Sequence, residues 1–476
     1  MGKQYEIVIG LEVHVELATR TKIFCGCSTA FGGEPNTHTC PVCTGMPGSL
    51  PVLNKKVLEY AVDVGLATNC EITRYCKFDR KNYFYPDNPQ NYQISQLYLP
   101  ICHDGYVEIE TKSGMKRVGI HEIHMEEDAG KLIHDEWEDV SLVDYNRSGV
   151  PLIEIVSEPD MRSSEEVIAY LEKLRMTIQY LGASDCKLQE GSMRADVNLS
   201  VREPGAKMYG TRTEMKNLNS FKAITHAIEG ETNRQIELLE DGEKIIQETR
   251  RWDDTKALSY PMRSKEDAKD YRYFPDPDLV PICISKEWLM ERKKILPEFR
   301  EEKMKRYKLE YLIPEYDIEI ITQNKHLADL FEETVKMGAD AKKVSNWLMG
   351  ETMRLCKEKN VDSDQINISP NYFRQFLDMV ERKEISGSVA KQVFEEMFLT
   401  DCDPQNYVTE KELRNTCDES ELQSVIIKVI KNNTKCVEEY RGGKQKAIGA
   451  LVGMAMKELA GKADPVIIRE MLEKNI

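Results

Sequence analysis

No stretch of the 476 residues approaches 18 uninterrupted apolar side chains, so no transmembrane helix is expected. The start, Met1-Gly2-Lys3-Gln4-Tyr5-Glu6, lacks the apolar run and small-residue cleavage site of a secretory signal, which makes a cytoplasmic location the expectation. Basic excess is missing as well. With 81 acidic against 65 basic side chains the net charge is −16, which argues against broad, nonspecific DNA coating and leaves room for a local basic patch. Recognised nucleotide loops are absent: Gly130-Lys131 is followed by Leu132 without the earlier glycine of a Walker A, and no G-x-G-x-x-G occurs. Nor is there a G-x-S-x-G elbow or a glycine- and serine-rich amidase segment. ATP chemistry on this chain would rest on metal and scattered basic residues.

What is present is the composition of a globular protein, 41% hydrophobic and 31% charged, at a length that asks for about two to four domains. Residues 5–17 alternate apolar and polar like a half-buried strand, with Glu12, His14 and Glu16 on one face. A helical stripe follows within 47–66, and strands are expected at 106–110 and 117–124. Residues 77–96 hold aromatics, basic residues and prolines and read as an irregular segment. Ser163 with Glu166 makes a capping box for a helix over 163–181 that Gly182 ends. RADVNLSVR reads as a strand, and a helix at about 220–240 precedes the Asp241-Gly242 turn. The proline-rich, charged stretch 260–281 reads as a loop. Beyond about 295 the pattern is helical, with a further seam near 400. The expected class is α+β, in three units: 1–294, a helical domain over 295–405, and a small helical tail over 406–476.

Cys25-x-Cys27 and Cys40-x2-Cys43 flank a 12-residue loop containing Gly32, Gly33 and Pro35. Two thiolate pairs can wrap a tetrahedral ion, and four sulfur ligands leave no open position, so a structural zinc is expected. The other nine of the thirteen cysteines are scattered and read as buried thiols. A second group is acidic: Glu12 with His14, the run His124-Met125-Glu126-Glu127-Asp128, and Glu154 with Glu158. Carboxylates from separate strands suit magnesium, which takes substrate phosphates as its remaining ligands. Taken singly, each acid more often belongs to a solvated strand face, and it is the number of candidates on polar strand faces that supports the cluster. The tail differs in charge, since residues 431–476 carry nine basic and six acidic side chains, a balance of +3 on an otherwise acidic body. Such a module suits a phosphate-rich partner.

The strings IGLEVHVEL (9–17), KFDRKNYFYPDNPQNYQISQ (77–96), HMEEDAGK (124–131), DYNRSGVPLIEIVSEPD (144–160), GSMRADVNLSVR (191–202), MKNLNSF (215–221), DYRYFPDPDLVP (270–281), SNWLMG (345–350) and GKQKAIGALVGMAMK (443–457) resemble the B subunit of the tRNA-dependent aspartyl/glutamyl amidotransferase. They run in order along nearly the whole chain. The resemblance implies an ATP- and magnesium-dependent ligase component that phosphorylates the side-chain carboxylate of Glu-tRNA(Gln), Asp-tRNA(Asn) or both. Ammonia released from glutamine by an amidase A subunit then displaces the phosphate, in a heterotrimer completed by a small C subunit. By the same resemblance Glu12, Glu127 and Glu154 match the magnesium carboxylates and His14 the histidine beside them. Lys81, Arg147 and Lys216 stand where phosphate or acceptor-end contacts are expected, and Lys444 and Lys446 where tRNA backbone is. The competing expectation is a noncatalytic tRNA-binding scaffold, which the intact carboxylate set disfavours.

Overall fold

The computed structural model describes residues 4–134, 140–264, 270–414, 419–459 and 465–476. Part of the expected 260–281 loop, and Lys462 and Asp464 of the basic tail, lie outside the described residues. The chain forms two compact units, one ending at Phe299 and the other starting at Arg300. The class is α+β: a mixed sheet-and-helix unit followed by a helical one.

The first unit is built on a nine-stranded sheet in the spatial order Leu258–Ser264, Glu248–Asp253, Thr213–Lys216, Met193–Arg202, Glu6–Glu16, Pro151–Ser157, Gly114–Glu127, Cys102–Thr111, Glu71–Ile72. Neighbours pair antiparallel, except that Thr213–Lys216 runs parallel to Glu248–Asp253. Ile9, Leu11, Val13 and Val15 of the central strand point into one core with Val197, Leu199 and Val201 of its neighbour. The helices Lys55–Ala67, Ser164–Tyr180 and Phe221–Glu240 bury Val57, Val167, Leu171 and Ile224 in the same core. One sheet face is thus closed by apolar packing and the other is left polar.

Local signals explain the boundaries. Ser163 Oγ accepts from Glu166 N (3.2 Å), but Glu166 Oε2 accepts from Arg162 N (2.6 Å), so only half of the expected capping box forms. Gly182, at φ +66°, takes the left-handed conformation that ends the helix.

Two expectations need correction. Within 77–96, Asp79–Asn82 and Tyr92–Ser95 are strands that pair with each other, and Phe274–Pro275 adds to the first of them. Four-residue strands separated by Pro86 and Pro89, with a partner remote in sequence, carry almost no periodic signal. The stretch read as a loop from 260 begins inside the strand Leu258–Ser264, where Pro261 lies opposite Arg250 at a register shift. That strand is an edge of the sheet, where a missing N–H is tolerated.

The second unit holds two apolar clusters. One gathers side chains from Tyr307 to Val408, including Phe373, Phe376 and Phe394, and the other runs from Leu422 to Leu472. The helix Pro404–Glu410 contributes Val408 to the former. Among the described residues no helix is long and apolar enough to cross a membrane.

Candidate active site

Strand alternation assembles the site. With the odd residues of Glu6–Glu16 in the core, Glu12, His14 and Glu16 project from the open face. Pairing sets their neighbours: His14 lies opposite Glu154 on one side and Arg194 on the other, and Glu12 lies opposite Asp196. Glu154 in turn faces His124, and Asn198 faces Glu214. One polar face therefore collects carboxylates and imidazoles from five adjacent strands.

They fall into two groups. Ligand atoms of His14, Glu126 and Glu154 lie within 4.8 Å of one another, and so do those of Glu12, Asp196 and Glu214. In the first group His14 Nε2 is 3.3 Å from Glu154 Oε2, and His124 Nε2 is 3.1 Å from both Glu126 Oε1 and Glu154 Oε2. Ser95 and Gln93, on the strand Tyr92–Ser95, donate to Glu126. In the second, Asn198 Nδ2 donates to Glu12 Oε1 (3.0 Å), while Lys216 Nζ donates to Asp196 and to Glu214 Oε1 (2.8 Å).

The electrostatics are those of crowded, half-dehydrated acids. Burial, then repulsion from Glu154 and Glu214, pushes the Glu12 carboxyl up. Burial opposes the charge on His124, but Glu126 and Glu154 carry its pKa up to about 10. His14 is likewise raised, with burial opposing and the Glu154 contact prevailing. Burial disfavours ionised Glu154, yet His124 and His14 hold its carboxyl well below the usual range. Both groups offer ligand-type side chains, and in the second, where burial and acidic neighbours raise Glu12, a hard divalent cation would relieve the crowding.

The other residues singled out in the sequence take distinct places. Lys81 reaches toward the first group, where burial works against its charge but Glu126, Tyr273 and Glu154 hold its pKa above the ordinary lysine value. Lys216 bridges the acids of the second group. Arg147 donates from Nε and Nη2 to Ala129 O and Gly130 O (both 2.9 Å), bracing the turn after Glu127, and its Nε lies 3.6 Å from Asp128 Oδ2, which Arg194 also bonds (2.7 Å). Lys444 and Lys446 are exposed at the start of the helix Lys446–Glu458, with Lys444 Nζ 3.6 Å from Glu439.

Glu127 does not join Glu12, His14 and Glu154. Its Oε1 accepts from Gln90 Nε2 (2.6 Å) and Ile94 N (2.9 Å), and burial pushes its pKa up to about 8. The cause is a bulge. Val118 and Ile120 are core residues, but past the register shift opposite Val156 and Ser157 the core positions become Ile123 and Met125. That change of parity sends Glu126 to the open face and Glu127 away from it. His124 and Glu126 stand in the acidic run that the sequence singles out, whereas Asp196 and Glu214 carry no such signal, and only the cross-strand register brings them to the site.

The four cysteines do meet: Cys43 Sγ is 4.0 Å from Cys27 Sγ and 3.9 Å from Cys40 Sγ, and all four sulfurs lie within 4.8 Å. A tetrahedron with Zn–S bonds of about 2.3 Å has edges of about 3.8 Å, so donors and spacing fit zinc.

Comparison with known proteins bears on this arrangement. Residues 7–290 match the model of the GatB/GatE catalytic domain, and residues 329–476 match that of the GatB domain. The chain belongs to the GatB family. It is 70% identical over 470 residues to the B subunit of the aspartyl/glutamyl-tRNA(Asn/Gln) amidotransferase of Agathobacter rectalis, covering 99% of each chain. Proteins of the same description from Lachnospira eligens and Caldicellulosiruptor bescii are 64% and 56% identical, again over 99% of each. The polar face lies wholly within the first matched segment, and Lys444 and Lys446 within the second.

Proposed function

We propose that this chain is the kinase and amidation centre of a cytoplasmic three-subunit amidotransferase acting on Glu-tRNA(Gln), Asp-tRNA(Asn) or both. The observation that carries the reading is the pair of ligand groups side by side on one open sheet face. Glu12 and His14 are two residues apart on one strand, about 7 Å along the backbone, so the two groups are neighbours on one face.

A side-chain carboxylate repels nucleophiles and carries a poor leaving group. Phosphorylation removes both defects: a carboxylate oxygen attacks the γ-phosphorus, the bond to ADP breaks, and ammonia later attacks the acyl carbon as phosphate leaves. Magnesium held at these sites would neutralise the phosphate charge. His14, Glu126 and Glu154 would hold one ion and Glu12, Asp196 and Glu214 the other. His124 orients Glu126 and Glu154 by bonding both. Lys81, charged and aimed at the first group, is placed to bind the transferring phosphoryl. Glu12 and Asn198 also line a cavity of about 260 Å³ with Val8, Leu199, Tyr209 and Arg212, which suits the nucleoside of ATP. Ammonia comes from the glutamine-hydrolysing A subunit, the C subunit completes the assembly, and Lys444 and Lys446 contact tRNA phosphates. The cysteine site holds zinc in a structural role.

The test is ATP turnover by the chain assembled with its A and C subunits. Hydrolysis should require magnesium, rise with Glu-tRNA(Gln) or Asp-tRNA(Asn), and couple to amide formation. A folded, tRNA-binding complex that consumes no ATP on either substrate would return the scaffold reading.

A further inference from the structure

Lys22 stands at the entrance of the cysteine loop and is fully buried, at 0% exposure. Its Nζ donates to Cys43 Sγ (3.5 Å) and to Tyr145 O (3.1 Å). Among the described residues its side-chain hydrogen bonds go to these two, a sulfur and a carbonyl, and no carboxylate pairs with it. Glu127 lines the same cavity, with Oε2 on the Gly149 side where the Lys22 stem also packs, but its Oε1 accepts from Gln90 and Ile94 and burial favours its neutral form. An ammonium removed from water needs a nearby anion, and a neutral thiol does not supply one. A thiolate does.

Four thiolates around a divalent cation carry a net charge of −2, and the protein must balance it in a site that is partly dehydrated. We infer that Lys22 is the charge-compensating, positioning residue of the four-cysteine metal site, joining the Cys43 sulfur to the backbone at Tyr145. The inference rests on the zinc reading above and adds a consequence for the active face. The loop is stitched to the same segment by further bonds: Ile23 N donates to Gly149 O (3.0 Å), Ser148 Oγ to Cys43 O (3.1 Å), Tyr145 N to Asn36 Oδ1 (2.8 Å) and His38 N to Asn146 Oδ1 (2.8 Å). Residue 150 leads directly into the strand Pro151–Ser157, which carries Glu154. The metal therefore holds the entry of a catalytic strand in place, and Lys22 is the polar side chain that ties its sulfur shell to that entry.

The experiment is a two-by-two comparison on the full-length chain: wild type and Lys22→Met, each zinc-loaded and zinc-stripped. Zinc transfer to a chromophoric chelator should be about 10- to 100-fold faster from K22M, as expected for one lost hydrogen bond to a charged group. Thermal melting should reverse in sign. Loaded K22M should melt below loaded wild type, while stripped K22M should melt at or above stripped wild type, because the variant no longer buries an unbalanced ammonium. Equal losses in both states, or unchanged zinc release, would overturn the inference and leave Lys22 a packing residue. If K22M does not fold, Lys22→Arg keeps the charge and the donors, and zinc retention within about threefold of wild type supports the role, while release as fast as from Cys40→Ser overturns it. Metal analysis separates the two levels: a wild-type chain without stoichiometric zinc removes the zinc reading itself, whereas stoichiometric zinc with no effect of K22M removes only the role of Lys22.

Discussion

Glu126 and Glu127 are adjacent in sequence, and the fold gives them opposite fates. Glu126→Gln replaces one of the three ligands shared by His14, Glu126 and Glu154 with a neutral amide, reducing the formal charge of that group from −2 to −1. Loss of a mere supporting partner costs a metal site about 10- to 100-fold in affinity, so removing a direct ligand should raise the magnesium half-saturation of ATP turnover by at least about 100-fold, some 3 kcal/mol. Glu127→Gln is nearly isosteric, keeps an oxygen for the Gln90 and Ile94 donors, and mimics the protonated carboxyl that burial favours near neutral pH. It should leave the magnesium half-saturation within about threefold of wild type, on the error expected for non-additive local effects. The assay is ATP hydrolysis by the assembled complex with charged tRNA across a magnesium titration at pH 7. A larger magnesium defect in E127Q than in E126Q would refute the assignment of faces and the bulge argument beneath it.

Other outcomes follow from the same geometry. Glu127 has its pKa raised to about 8 from an ordinary 4.5, so the neutral form is the folded form; stability is fully present below pH 4.5 and falls as pH rises through 8, by at most about 5 kcal/mol. Denaturant unfolding should accordingly show E127Q gaining on wild type between pH 5 and 9, and a constant difference would contradict it. A cation needs His14 neutral, and Glu154 helps it hold its proton above the ordinary 6.5, so magnesium should bind more tightly as pH rises from 6 to 8; a flat profile would remove His14 as a ligand. Cys40→Ser should abolish stoichiometric zinc and lower the melting temperature, and zinc retained at one per chain would exclude the four-thiolate site. Changing Lys444 and Lys446 to Ala should weaken tRNA binding and reduce the slope against log salt by about one per lysine, whereas an unchanged slope would place the contact elsewhere.

Much of the fold was legible because its long elements obey simple periods. The strand at 5–17 and the strand and helices of 163–240 sit where alternation, caps and Gly182 put them. The short pairs Asp79–Asn82 with Tyr92–Ser95, and Phe274–Pro275 beside them, were not, since their hydrogen bonds join segments far apart in sequence. At the candidate site, the alternation around Glu12 and His14 fixes a face, and the two cysteine pairs fix a cluster. What alternation cannot give is register. Asp196 and Glu214 become neighbours of Glu12 through pairing partners alone. The bulge between Ile120 and Ile123 defeats even a correct strand assignment, because extending the parity of Val118 and Ile120 selects Glu127 where the fold presents Glu126. Arg147 shows what a segment's sequence leaves open: a basic residue whose Nε and Nη2 already bond two backbone carbonyls.

The most direct test of the central claim is the magnesium dependence of charged-tRNA-stimulated ATP hydrolysis, coupled to amide formation, in the complex of this chain with its A and C subunits. The account predicts turnover that needs magnesium, needs the aminoacylated tRNA, and is lost in Glu154→Gln while tRNA binding persists. Undiminished amide formation in that variant would contradict a metal-assisted phosphoryl transfer on this sheet face.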